Sequence, residues 1–120
     1  MISIALVEDH AALRESLALV LGKEPDFEVV EQAESLAEAR ERDLDSVDVA
    51  LIDIFLPDGE GTQLIEELRQ RGTPALLAFT VSFDPEVHRR ARQAGADEVL
   101  TKDARLEELV SKIRSLAGEK

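Results

Sequence analysis

The chain has 120 residues, the size of one domain, and area scaling lets a chain of this length bury roughly two-thirds of its surface around a real core. Its 26 acidic residues against 14 lysines and arginines give a net charge of −12, a surface that a nucleic-acid backbone or an anionic bilayer would repel. The absence of cysteine excludes disulfide scaffolds, thiolate zinc centres and cysteine nucleophiles. Two histidines, His10 and His88, are too few for a histidine metal cage, and four phenylalanines with no Trp or Tyr offer no platform for stacked bases. No apolar run approaches the ~20 residues that cross a bilayer, and the first residues lack a basic, then apolar, leader. A cytoplasmic location is the expectation.

In chain order, Ile2–Val7 is an apolar, β-branched run that predicts a strand. Leu13, Leu17, Val20 and Leu21 then share one helical face. Phe27–Val30 predicts the second strand, and Ser35-Leu36-Ala37-Glu38 has the spacing of a capping box at the next helix. Val47–Ile52 predicts the third strand; the first three are rich in β-branched residues, and all five apolar runs look buried on both faces. Pro57, Gly59 and Gly61 mark a turn before the stripe Leu64, Ile65, Leu68. Ala75–Phe79 predicts the fourth strand, and Asp84-Pro85 reads as an N-cap followed by proline at the first helical position, ahead of Val87, Ala91 and Ala94. Val99–Leu100 predicts the fifth strand, and Leu106, Leu109, Val110, Ile113 and Leu116 form the last stripe. Gly22, Gly72, Gly95 and Gly118 each follow a helical run, where a left-handed cap favours glycine. Five β-α units without a linker predict a single α/β domain over residues 1–120. The expected fold is a doubly wound, five-stranded parallel sheet, with order 2-1-3-4-5 as the flavodoxin-like option.

Sites in such sheets form at the carboxyl ends of the strands. There the sequence offers Glu8-Asp9, Asp53, Thr80 and Thr101-Lys102. Singly each is ordinary: Asp9 suits an N-cap, Asp53 a loop acid, Thr80 a strand terminator, Lys102 a solvated side chain. Together they put three carboxylates, a hydroxyl and an ammonium on one edge. Crowded carboxylates repel, so at least one should have a raised pKa, and a hard divalent cation relieves the repulsion. An oxygen-only donor set suits partly hydrated Mg²⁺. Asp53 could then approach an anionic phosphoryl group, with Lys102 on one of its oxygens and Thr80 on another.

These residues resemble the receiver domain of bacterial two-component response regulators, the CheY-like family. The resemblance spans essentially the whole chain. It rests on Leu6-Val7-Glu8-Asp9, on Asp53 with Leu56-Pro57-Asp58-Gly59-Glu60-Gly61, on Thr80, and on Gly95-Ala96-Asp97 leading to Thr101-Lys102. It implies that Glu8, Asp9, Asp53 and the backbone carbonyl of Phe55 hold Mg²⁺. It also implies that Asp53 accepts a phosphoryl group from a sensor histidine kinase, with Thr80 and Lys102 contacting that group. Val7-Glu8-Asp9-His10, Glu24–Val30 and Lys102-Asp103 without a proline are similar to the NarL/LuxR-type subfamily. Members of that group carry a C-terminal DNA-binding helix-turn-helix, which would lie outside this chain, and a homodimer on phosphorylation is among the outputs the resemblance implies. On this reading the chain is a phosphoacceptor with self-catalysed phosphorylation and dephosphorylation, not an enzyme of metabolism, and it binds neither nucleic acid nor membrane directly.

The chain departs from the family pattern at several positions. Val99 stands where an aromatic often reports phosphorylation, and valine has few rotamers and little reach. Val81 stands where Ala or Gly is common. Phe55 and Ser82 occupy positions that tune hydrolysis. Together they predict a rather long-lived aspartyl phosphate. The main rival is a pseudo-receiver that signals as an interaction module without phosphate. A phosphatase of the haloacid dehalogenase type would need an acid where Phe55 stands, and a flavin carrier would be repelled by Glu8-Asp9. His10 is expected in the loop after the acid pair. His88 is expected on an exposed helix face, in a basic cluster running to Arg92 that reads as a solvated surface or a partner site.

Overall fold

The computed structural model describes residues 1–72 and 74–118. Among the described residues, seven strands and five helices follow one another: β1 (Ile2–Val7), α1 (Ala11–Gly22), β2 (Phe27–Ala33), α2 (Leu36–Glu41), β3 (Val49–Asp53), β4 (Phe55–Leu56), β5 (Gly59–Glu60), α3 (Gly61–Arg71), β6 (Ala75–Thr80), α4 (Pro85–Ala94), β7 (Glu98–Thr101) and α5 (Leu106–Gly118). Five of the strands form one parallel sheet in the order β2-β1-β3-β6-β7. This is the expected 2-1-3-4-5 order once the small antiparallel hairpin β4-β5, which the sequence pattern does not signal, is set aside.

Strand alternation divides the core in two. Ala5, Val7, Ala50, Ile52, Leu76, Ala78 and Val99 face α2, α3 and α4, packing on residues such as Leu36, Leu64, Ile65, Leu68 and Ala91. Ile4, Leu6, Val49, Leu51, Leu77, Phe79 and Leu100 face α1 and α5, packing on Leu17, Leu21, Leu109, Val110 and Ile113. β3, at the sheet's centre, is buried at every residue. β2 differs from expectation. It runs on to Ala33, and its interior residues alternate between exposed and half-buried, with Val29 packed against the α1 and α5 side of the core and its neighbours Glu28 and Val30 exposed. Leu106, counted in the last stripe, is exposed.

The helix ends show which local signals held. Gly72 (φ 78°) and Gly95 (φ 124°) cap α3 and α4 with positive φ. Gly22 does not: it is the last residue of α1, and the cap is Lys23 in right-handed geometry. Gly118 likewise ends α5 without positive φ. Asp84 caps α4 as expected, its Oδ1 accepting from the Glu86 N–H at 2.9 Å, with Pro85 at the first turn. The box at α2 is a variant: Ser35 Oγ accepts from the Glu38 N–H, but Glu38 reaches back to the N–H of Glu34. The other two first-turn donors, Leu36 and Ala37, both go to the Asp58 carboxylate, at 2.8 and 3.0 Å. A six-residue helix is marginal alone, and Asp58 staples it to the β4-β5 turn. No helix among the described residues is long and apolar enough to cross a membrane.

Candidate functional site

The site is built by strand parity. Glu8 follows Ile4 and Leu6 by steps of two, Asp53 follows Val49 and Leu51, and Lys102 follows Leu100; all belong to the face beneath α1 and α5. Their carboxyl-end positions on neighbouring strands then bring them together. Lys102 Nζ donates to Glu8 Oε1 at 2.6 Å and to Asp53 Oδ2 at 2.9 Å. The Glu8 and Asp53 side chains are 4% exposed and that of Lys102 is 16% exposed, so these pairs are desolvated, unlike the surface ion pairs elsewhere. Lys102 Nζ also lies 5.8 Å from the centroid of the Phe79 ring.

The remaining oxygens are held from the backbone. Glu8 Oε2 accepts from the His10 N–H at 3.1 Å, and Asp53 Oδ1 from the Phe55 N–H at 3.1 Å. Arg14, one turn into α1, donates to the Glu8 carbonyl at 2.7 Å. Asp9 is exposed and is not the N-cap of α1. His10 is, with Nδ1 accepting from the Leu13 N–H at 3.3 Å. This leaves the Asp9 carboxylate at the rim, and one oxygen from each of Glu8, Asp9 and Asp53 lies within 4.8 Å of the others. Three oxygen donors, two buried and one at the rim, without nitrogen or sulfur, fit a hard divalent cation.

Electrostatics at the site reflects burial more than crowding. Burial first, and the Glu8 charge after it, push the Asp53 carboxyl up to about 6, against the opposing hydrogen bonds from Lys102 and the Phe55 N–H and the Lys102 charge. Burial works to discharge Lys102, but its hydrogen bonds and charge attraction to Glu8 and Asp53 outweigh that and hold its pKa above the ordinary lysine value.

Gly61 shows how tightly the Asp53 backbone is seated. A Cβ there would fall 2.0 Å from the Asp53 carbonyl oxygen, while the Gly61 N–H bonds the Ile54 carbonyl at 2.7 Å. Glycine at 61 therefore serves the close approach of α3 to the end of β3, more than the turn that sequence alone suggested.

Thr80 is fully buried at the end of β6, but it has the parity of Leu76 and Ala78, which face α4. Its Oγ1 accepts from the Ser82 N–H at 3.1 Å, and its carbonyl accepts from the Lys102 N–H at 2.8 Å. The structure thus joins Glu8, Asp9, Asp53 and Lys102, with Thr80 beside them but turned to its own loop. Three contacts carry no signal in the sequence pattern: the Asp58 staple, the Arg14 bond, and a bond of 2.7 Å between His88 Nε2 and the Ser82 carbonyl. His88 is half-buried, not fully exposed. The basic residues after it are paired, Arg89 with Glu86, Arg90 with Glu60 and Arg92 with Glu98, which favours the solvated surface over a free basic patch.

Comparison with known proteins agrees with this geometry. The family described as the response regulator receiver domain matches residues 4–114. The chain is 36% identical over 121 aligned residues to the DNA-binding transcriptional activator DevR/DosR of Mycobacterium tuberculosis, covering 98% of this chain and 55% of that protein. It is 34% identical to the transcriptional regulatory protein UhpA of Escherichia coli, covering 98% and 59%. The chain therefore spans a little over half the length of these relatives. Among solved structures, the signal receiver domain of a response regulator designated NarL from Mycobacterium tuberculosis superposes with a TM-score of 0.90 at 28% identity, covering 99% of this chain and 98% of that one. A LuxR-family two-component response regulator from Aurantimonas gives 0.87 at 29% identity, covering 98% and 86%. With the family matched over nearly all its length, and with solved structural neighbours described as a NarL and a LuxR-family response regulator, this chain belongs to the response regulator receiver domains of two-component signalling.

Proposed function

We propose that residues 1–120 form one receiver domain that accepts a phosphoryl group on Asp53 from a sensor histidine kinase in a Mg²⁺-dependent reaction. The modified domain then switches an interaction surface that controls a transcription-regulating output. The observation that carries this reading is the Lys102 ammonium fixed between Glu8 and Asp53 at hydrogen-bonding distance, inside an acid trio able to share one cation.

An Asp53 carboxylate oxygen attacks the phosphorus of a phosphohistidine, the N–P bond breaks, and the imidazole leaves with the electron pair. Glu8, Asp9, Asp53 and the Phe55 carbonyl would hold Mg²⁺, which when bound supplies charge neutralisation for the trio and the incoming anion. Lys102 is already in reach of the acceptor oxygen and can follow the charge onto a phosphoryl oxygen. Thr80 must turn its hydroxyl from the Ser82 N–H to meet another oxygen. Phe55 and Val81, both exposed, flank the acyl phosphate and slow its loss to water. The domain works in the cytoplasm, leaves DNA contact to a C-terminal domain like those of its longer relatives, and can dimerise when phosphorylated.

Incubation with acetyl phosphate and Mg²⁺, read by intact mass, tests the reading. One added phosphoryl group is expected in the parent and none in Asp53→Asn. The phosphate-independent pseudo-receiver gains its support from Val99, which is buried and not aromatic. A parent that stays unmodified while binding Mg²⁺ would establish that alternative.

A further inference from the structure

The loop between β6 and α4 is held in an unusual way. Its two apolar residues, Val81 and Phe83, are 64% and 69% exposed, so packing contributes little to its position. Hydrogen bonds hold it instead. The Ser82 N–H donates to Thr80 Oγ1 at 3.1 Å, and the Ser82 carbonyl accepts from His88 Nε2 at 2.7 Å. Ser82 Oγ accepts from the Asp84 N–H at 3.1 Å, and the Asp84 carbonyl accepts the N–H groups of Val87 and His88 at 3.1 and 3.2 Å. Both sides of the loop thus converge on Ser82: its N–H is tied to the hydroxyl that must move, its carbonyl to the first turns of α4.

The alternative route from Thr80 outward is closed. Val99 pairs with Ala78 in the sheet and is 7% exposed within the core shared with Ala91 and Ala96. A β-branched side chain packed there has one favoured rotamer and nowhere to swing. A loop with exposed apolar side chains, held by a few hydrogen bonds, is the low-stability segment that a ligand can redistribute.

We propose that His88 is the positioning residue that couples the Thr80–Asp84 loop to α4, so that phosphorylation is read out through the His88–Ser82 bond. When the Thr80 hydroxyl turns to a phosphoryl oxygen it releases the Ser82 N–H. The Ser82 peptide then reorients, and the imidazole and the start of α4 move with its carbonyl. This rests on Asp53 being the phosphoacceptor, and the test separates the two.

Amide spectra of ¹⁵N-labelled parent, His88→Ala and His88→Gln are recorded before and after acetyl phosphate with Mg²⁺, with intact mass taken on each sample. All three should gain one phosphoryl group and show shifts around residues 53 and 80. Shifts across residues 85–94 should be present in the parent, shrink several-fold in His88→Ala, and return in His88→Gln, whose amide nitrogen can donate from nearly the same place. A purely structural role for His88 would alter stability without this selective loss and rescue. Should His88→Ala unfold, the parent's own imidazole ¹⁵N signals serve: they should report a proton on Nε2 before phosphorylation and shift after it. Equal α4 shifts in parent and His88→Ala, or an unmoved imidazole, overturn the coupling. A parent that gains no phosphoryl group removes the phosphoacceptor reading, and the coupling falls with it.

Discussion

Asp53 is a carboxylate kept where a carboxylate is costly. Its folded pKa of about 6 lies above the unfolded 3.8, so the folded state binds the extra proton between those values. Stability falls as pH rises through that window and stays reduced above it. Asp53→Asn should therefore stabilise the Mg²⁺-free protein at pH 7 by about 1 to 3 kcal/mol, visible as a higher Tm, and the difference should vanish below pH 3.8. Added Mg²⁺ should raise the Tm of the parent but much less that of the variant. A parent that outlasts Asp53→Asn without metal would contradict the electrostatic account. Asp58 runs the opposite way. Hydrogen bonds from the Leu36 and Ala37 N–H groups hold its carboxyl below the usual value. Its stabilisation is present above 3.8 and disappears as pH falls through the lowered folded value. Asp58→Asn should lower the Tm at pH 7 and approach the parent in acid.

At the scale of elements, the weld between β3 and α3 sets a sharper expectation. Gly61→Ala places a methyl against the Asp53 carbonyl, and backbone cannot yield as a side chain can. A loss of order ~3 kcal/mol is expected by urea titration, with slower phosphorylation because the acceptor is displaced. The sequence made the main elements readable because apolar period and strand-end chemistry agree: Ile4 and Leu6 point one way, Ala5 and Val7 the other, and Glu8 continues the first series. It made Thr80 readable as a residue but not the bond its hydroxyl makes, since the Ser82 N–H that it accepts is a backbone group every non-proline residue has. Gly22 and Gly72 look alike in sequence; one ends its helix in ordinary geometry and the other in left-handed geometry. The β2 edge was illegible because an apolar run does not reveal whether a neighbour lies on both sides. The His88–Ser82 bond was illegible because its acceptor is a carbonyl, which every residue has.

As a whole the molecule is small and strongly charged. Its extents are 34 × 29 × 28 Å, comparable to the ~30 Å screening length at 0.01 M salt and far above the ~8 Å at 0.15 M. With a charge of −12, the carboxylates repel one another across the body at low salt. Raising KCl between those concentrations should increase the Tm, in Asp53→Asn as well as in the parent, which separates general screening from specific Mg²⁺ binding. The aspartyl phosphate formed in Mg²⁺ buffer should outlive seconds when followed by loss of label, and decay within seconds would remove the role given to Phe55 and Val81. The missing side chain at position 61 carries a last consequence. It bolts Asp53 to the frame, so the compliant part of the machine is the stretch from Val81 to Asp84, whose apolar side chains are exposed. Transplanting residues 81–88 into a related regulator should export this chain's signalling habit while leaving its phosphoryl-transfer chemistry behind.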